Sequence, residues 1–194
     1  MFSRIATAAL ASVFALALAG PAVAQQKGND DVPRVDRAQL FADIRKQVLE
    51  YPLYSVFDTV NVQINGSTVI LRGKVTMPFK KDEIEKRVSS VRGVGNVDNQ
   101  IEVLPASKSD DELRVGIAER IYNHPSFDRY AGLPNPPVHV IVERGRVTLE
   151  GIVDTQADRL AALSIARSFG AFKVEDKLQT PDQARRDLDN KLQN

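Results

Sequence analysis

Few residues of this chain have both the type and the spacing to do chemistry. The two histidines, His124 and His139, form no His-x-x-x-His pairing that would set two imidazoles on one helical face, which argues against a metal site. His124 precedes Pro125 at the predicted end of a helix, and His139 points opposite to Val138 and Val140 on a predicted strand, so solvent exposure is expected for both. The sequence contains no cysteine, which excludes disulfides and thiolate ligands. The acidic runs Asp30-Asp31 and Asp110-Asp111-Glu112 fall in a polar leader and at a helix start. At a helix start the dipole favours negative charge, and neither general-acid nor calcium chemistry is needed to explain them. There is no Gly-rich phosphate loop and no Gly-x-Ser-x-Gly. No catalytic residue, metal ligand or cofactor is therefore assigned, and binding is the chemistry to look for.

Two segments could bind. Lys80, Lys81, Lys86 and Arg87, with Arg92 just beyond, make the one basic cluster, and such a face attracts anionic lipid at roughly 1 kcal/mol per charge near the surface. Against that, Asp82 with Lys86 and Glu83 with Arg87 are spaced as ordinary i,i+4 surface pairs. The second segment is the loop from Pro125 to Pro137, whose Phe127, Arg129, Tyr130 and Leu133 suit a lipid headgroup layer or a partner peptide. The alternative is packing, because Phe127 and Tyr130 align with Tyr54 and Phe57 in an earlier stretch of similar pattern.

The N-terminus reads Met1-Phe2-Ser3-Arg4, then an apolar run of about 15 residues from Ile5 to Ala19, then Gly20-Pro21 and Ala22-Val23-Ala24. This predicts a signal peptide over 1–24, cleaved before Gln25, and a soluble mature protein in the bacterial periplasm. With no cysteine after the apolar run, a lipoprotein is excluded. Removing 24 of 194 residues loses Arg4 alone among the charges and leaves Lys+Arg at 25 against Asp+Glu at 25. That balance argues against a nucleic-acid binder.

After a polar leader over 25–35, one plan occurs twice. Asp36 caps a helix bearing Leu40, Ile44 and Val48, and Ser109-x-x-Glu112 reads as the capping box of its counterpart bearing Leu113, Ile117 and Ile121. A hairpin follows each: Val60, Val62 and Ile64 turning at Asn65-Gly66, and Val138, Val140 and Val142 turning at Arg144-Gly145. Gly73 and Gly151 hold matching places on the returning strands, where a side chain would block a bend or hold the next helix away. A second helix starts at Thr76 or Asp154, and a short strand ends each copy. The expected fold is α+β, with two tandem α-β-β-α-β modules, each setting two helices on one face of a three-stranded sheet. The boundaries are 36–104 for the first module, 105–108 for a linker, 109–180 for the second module and 181–194 for a helical tail started by Pro181.

The run from Val60 to Gly73, Val-x-Val-x-Ile-x-Asn-Gly-x-x-Val-x-Leu-x-Gly, followed by Val91-Arg92-Gly93-Val94-Gly95-Asn96-Val97-Asp98-Asn99, resembles the BON domain (bacterial OsmY and nodulation). The second copy resembles it too, departing at Ala171 and Phe172, where the first has Gly93 and Val94. The resemblance implies a non-enzymatic envelope protein associated with phospholipid binding, stress response, periplasmic chaperoning or attachment to membrane assemblies. It implies Gly73 and Gly151 as backbone requirements of the fold. The expected partners are anionic phospholipid, met peripherally, or envelope and secreted client proteins.

Overall fold

The computed structural model describes residues 36–130 and 132–193; the expected signal peptide and leader lie outside these residues. In chain order the elements are α1 (Arg37–Leu49), β1 (Thr59–Asn65), β2 (Thr68–Val75), α2 (Pro78–Ser89), β3 (Asn96–Val103), α3 (Lys108–Tyr122), a 3-10 segment (Pro125–Tyr130), β4 (Val138–Glu143), β5 (Arg146–Ile152), α4 (Gln156–Arg167), β6 (Lys173–Gln179) and α5 (Pro181–Gln193). Two three-stranded sheets result, ordered β1-β2-β3 and β4-β5-β6. In each, the hairpin is antiparallel and the last strand returns parallel to the central one after crossing over through a helix. The α+β organisation in two tandem modules, read from the repeat, is the one observed.

Four-residue spacing explains the helices. Leu40, Ile44 and Val48 of α1 and Ile84 and Val88 of α2 bury one stripe each against Val69, Leu71 and Ile101 of the sheet. The second module repeats this with Ile117, Ile121, Ala162 and Ala166 against Val140, Leu149 and Leu178. Each fully buried aliphatic side chain contributes roughly 1.5–3 kcal/mol, so the two cores carry most of the stability.

Several local expectations are corrected. The N-cap of α3 is Ser107, whose hydroxyl accepts from the Asp110 amide, so the Ser109-Glu112 box does not form. Helix α2 starts at Pro78 after Met77, and α4 starts after Thr155, which builds a reciprocal capping box with Asp158. Thr155 takes the cap from Asp154 because its hydroxyl accepts from the Asp158 amide while the Asp158 carboxylate accepts from the Thr155 amide and hydroxyl. The first hairpin turns at Gly66-Ser67, one residue later than expected, because Asn65 pairs with Thr68. Leu113 is only partly buried, and Arg114 takes the fully buried place beside it.

Gly73 and Gly151 are explained by the strand beside them rather than by the next helix. Both have positive φ, 141° and 135°. A Cβ would stand 2.1 Å from the Thr59 carbonyl oxygen at Gly73 and 1.8 Å from the Pro137 carbonyl oxygen at Gly151. Helix α5 bonds back to the second sheet through Gln179 and Asp187, and the side chains of Leu188, Lys191 and Leu192 lie outside the described residues.

Candidate functional site

The stretch between α1 and β1 is anchored in its own module by Tyr51, Tyr54 and Asp58 and reaches β4 of the second through Val56 and Phe57. The Val140 amide donates to the Val56 carbonyl at 2.7 Å, and Val56 and Phe57 pack against the second core. Asn135 Nδ2 donates to the Leu49 carbonyl at 2.9 Å, and Asn61 Nδ2 donates to Glu150 Oε1 at 2.8 Å. Lys74 pairs with Glu143 and also with Glu102 at 3.4 Å. The two modules therefore share a seam made of backbone, side-chain and ionic contacts.

The seam shifts the groups it shields. Hydrogen bonding from Lys74 holds the Glu143 carboxyl below the usual range. Burial works against the Lys74 ammonium, yet its bonds to Glu143 and Glu102 prevail and raise its pKa. Burial, reinforced by the Asp58 carboxylate, pushes the Tyr54 phenol up. His139, its ring centroid 5.6 Å from that of Tyr54, has its pKa lowered by burial, with the Asp58 backbone and the Glu150 carboxylate acting the other way. Its Nδ1 is shielded from solvent and bonds to nothing. The expectation of simple exposure fails for His139 because the first module covers this face of β4. It fails for His124 too, whose Nδ1 accepts from the Ser126 amide and whose ring meets Phe127 edge-on.

The two hairpins treat their outer strand edges differently. In β4 the edge is closed: Tyr122 Oη donates to the Val138 carbonyl and accepts from its amide, Val56 takes the Val140 amide, and Arg114 Nη2 donates to the Val142 carbonyl at 3.2 Å. In β1 the corresponding outward groups belong to Val60, Val62 and Ile64. Tyr54 engages the Val60 backbone, while among the described residues nothing bonds outward at Val62 or Ile64. Phe41 stands where the offset that matches Leu40 with Leu113 places Arg114, so the first module has no guanidinium to cap its strand end. The unblocked edge opens into a cleft of about 330 Å³ between the modules, walled by Phe41, Leu49, Pro136, Pro137 and Ile152 and rimmed by Arg45, Glu150 and Lys177. A second, polar cleft of about 430 Å³ lies where Arg72, Lys74 and Gln100 face Thr148 and Glu150. Both fall in the size range of ligand sites.

The residues nominated from sequence are scattered, and most are already engaged. Lys80 is 7% exposed and pairs with Asp58 at 2.6 Å, so the proposed basic face loses a member. Lys80 precedes Ile84 and Val88 by four and eight positions, and that spacing puts it on the buried stripe. Lys81 is half-buried; Lys86 is exposed and lies 3.9 Å from Glu83 rather than pairing with Asp82. Arg87 bonds Glu83 at 3.1 Å and covers the Tyr51 ring. Phe127 and Tyr130 are inside the second core, so packing is their role. Arg129 stacks on Tyr130, bonds Asp154 at 2.7 Å and pairs with Asp158, and its guanidinium pKa is raised chiefly by the Asp154 bond. Leu133 is 48% exposed.

Sequence reasoning missed Asp58, Asp110 and Arg114. Asp58 is fully buried and accepts from Ser55 and Thr76, amide and hydroxyl in each case, as well as from Lys80. Lys80 matches Asp158 at the offset that pairs the two glycines. One clasp, from the stretch before the hairpin to the third residue of the next helix, is thus built with inverted charge: Asp58 to Lys80, and Arg129 to Asp158. Asp110, read as a dipole residue, accepts from the Arg144 and Gly145 amides at 2.7 and 2.8 Å and holds the second hairpin turn. A residue-by-residue comparison of the two copies would have flagged these positions, since each places a charge where the other copy has its opposite or an apolar group.

No helix among the described residues is long and apolar enough to cross a membrane, and no group of three or more His, Cys, Asp or Glu among them could hold a metal ion. A family model, that of the BON domain, matches residues 36–105 and again 110–181. No curated protein matches the chain significantly. Among solved structures, the C-terminal domain of CdsD, the structural protein of the Type III secretion system of Chlamydia trachomatis, is 16% identical with a TM-score of 0.31, covering 80% of this chain and 71% of its own. A second CdsD structure from that organism is 16% identical with a TM-score of 0.27, covering 77% of this chain and 97% of its own.

Proposed function

Because the chain belongs to the BON domain family, whose domains are associated with membrane and envelope binding and are in general non-catalytic, we propose that it is a non-enzymatic binding protein of the bacterial envelope that acts in the periplasm on extended stretches of polypeptide. The observation that carries this reading is the cleft between the modules, with its apolar walls and one unblocked strand edge. A binding role for unfolded envelope or secreted clients uses both features, since main-chain pairing gives affinity without demanding a sequence. The test is light scattering of an unfolded outer-membrane protein diluted with and without this protein. Slowed aggregation supports the reading; an unchanged rate at several-fold excess contradicts it.

A second reading, contact with anionic phospholipid, is favoured by one observation. Met77 and Phe79 are 50% and 52% exposed at the start of α2, beside Lys81, which is the arrangement of an apolar tip with a neighbouring cation. Co-sedimentation with neutral and anionic liposomes at low and moderate salt tests it: anionic-selective, salt-sensitive binding supports lipid, and none under any condition removes it.

A further inference from the structure

We propose that the outer edge of β1 is a strand-addition site, taking an extended peptide with alternating apolar residues as an added strand of the first sheet. The inference deepens the polypeptide reading above and rests on it.

In the second module the same edge is filled. There a turn of the first module's chain covers β4, its Val56 carbonyl receiving the Val140 amide at 2.7 Å, while Tyr122 and Arg114 close the two ends. Val62 is the counterpart of Val140 and Ile64 that of Val142, so their amides and carbonyls also point away from the sheet. Among the described residues no hydrogen bond engages these groups. An exposed row of unpaired backbone groups is a template for another strand, and proteins ordinarily block such rows. Here the blocking arginine is replaced by Phe41, which takes the guanidinium away and supplies an apolar wall.

The cleft also states what should enter it. Its walls, Phe41, Leu49, Pro136 and Ile152, accept the side chains that alternate to one side of an extended strand. At its rim Arg45 forms no ion pair among the described residues, Lys177 meets only Glu175, and Glu150 is already bonded by Asn61. The Asn61 amide is neutral and leaves the Glu150 charge in place to balance that of Arg45, so the cleft selects by apolar side chains and strand pairing rather than by charge.

The probe is a fluorescent peptide of alternating valine and threonine, measured by anisotropy with the full chain. A second version is N-methylated at alternate amides, which keeps every side chain and removes the donors of one edge. Phe41→Arg recreates the block of the second module, and Val62→Pro removes the outward amide at a strand edge, where proline is tolerated. The plain peptide is expected to bind, the methylated one at least about tenfold more weakly, and each variant to lose about tenfold with an unchanged far-UV spectrum, its melting temperature falling modestly because Phe41 and Val62 also pack against the first core. Equal binding of the methylated peptide, or undiminished binding to folded Phe41→Arg, overturns it. If the variants still slow client aggregation, strand addition at β1 fails while the polypeptide reading stands. If neither peptide nor unfolded client binds the wild type, both fall.

Discussion

The carbonyl of Val56 in the first module accepts the amide of Val140 in the second at 2.7 Å, so a backbone hydrogen bond continues the edge of one module's sheet into the other module's chain. Beside it Phe57, from the same stretch, packs against the second core. The modules thus form a joint structure in which the first supplies part of the second.

It follows that Phe57→Ala should destabilise the second module although the residue lies in the first. Phe57 is half-buried, so the cost should be about 2 kcal/mol, below the roughly 3–5 kcal/mol of a fully buried ring. Denaturant unfolding monitored separately in each module should show the loss in both. A loss confined to the first would contradict the shared seam.

The Lys80 clasp should matter far more than its neighbours. Lys80→Ala leaves Asp58 buried with the hydroxyls and amides of Ser55 and Thr76 but no cation, which should cost about 3 kcal/mol. Lys86→Ala, at an exposed site 3.9 Å from Glu83, should change stability by no more than about 0.5 kcal/mol. Thermal melts of the two variants settle the comparison.

Gly151→Ala and Gly73→Ala should each cost about 2 kcal/mol or more, because a Cβ would overlap a carbonyl oxygen of the adjoining chain and the positive φ disfavours any side chain. Gly132→Ala, with nothing within 4 Å of the added carbon, is the control and should be near neutral. Equal melting temperatures for the three would refute the close-approach account.

Much of the fold was legible because local signals agreed. The alternating valines of β1 and β4, the four-residue stripes and the constant offset between copies all pointed to one module used twice. What stayed hidden lay where a charge sits on an apolar stripe, as with Lys80 ahead of Ile84 and Val88, or Arg114 beside Leu113. Pattern reading assigns such residues to solvent, and only a partner distant in sequence, Asp58 for Lys80 and the Val142 carbonyl for Arg114, justifies burying them. The seam was hidden for a related reason. His139 looks like the outward residue of a strand, and nothing near it in sequence announces that Tyr54 covers it. The candidate site was legible in even smaller part, because it depends on what fails to cover Val62.

His139 gives the seam a pH dependence of known sign. Its folded-state pKa is lowered from 6.5 by burial, so below pH 6.5 the unfolded chain binds more protons than the folded one and stability falls as pH falls toward the depressed value. The groups facing it are Tyr54, Asp58 and Glu150, with Arg45 and Lys177 across the cleft. His139→Phe keeps the contact with Tyr54 and does not titrate. Between about pH 7.5 and pH 5 the wild type should therefore lose more melting temperature than this variant. Parallel curves would show that His139 is solvated.

The claim that extended polypeptide is bound along β1 is tested most directly by amide hydrogen exchange, residue by residue, with and without saturating alternating Val-Thr peptide. Slowed exchange at Val62 and Ile64, with Val140 unchanged because its amide is already bonded, is the predicted result. Slowing at Met77, Phe79 and Lys81 with none along β1 would contradict it and place the binding surface at the start of α2.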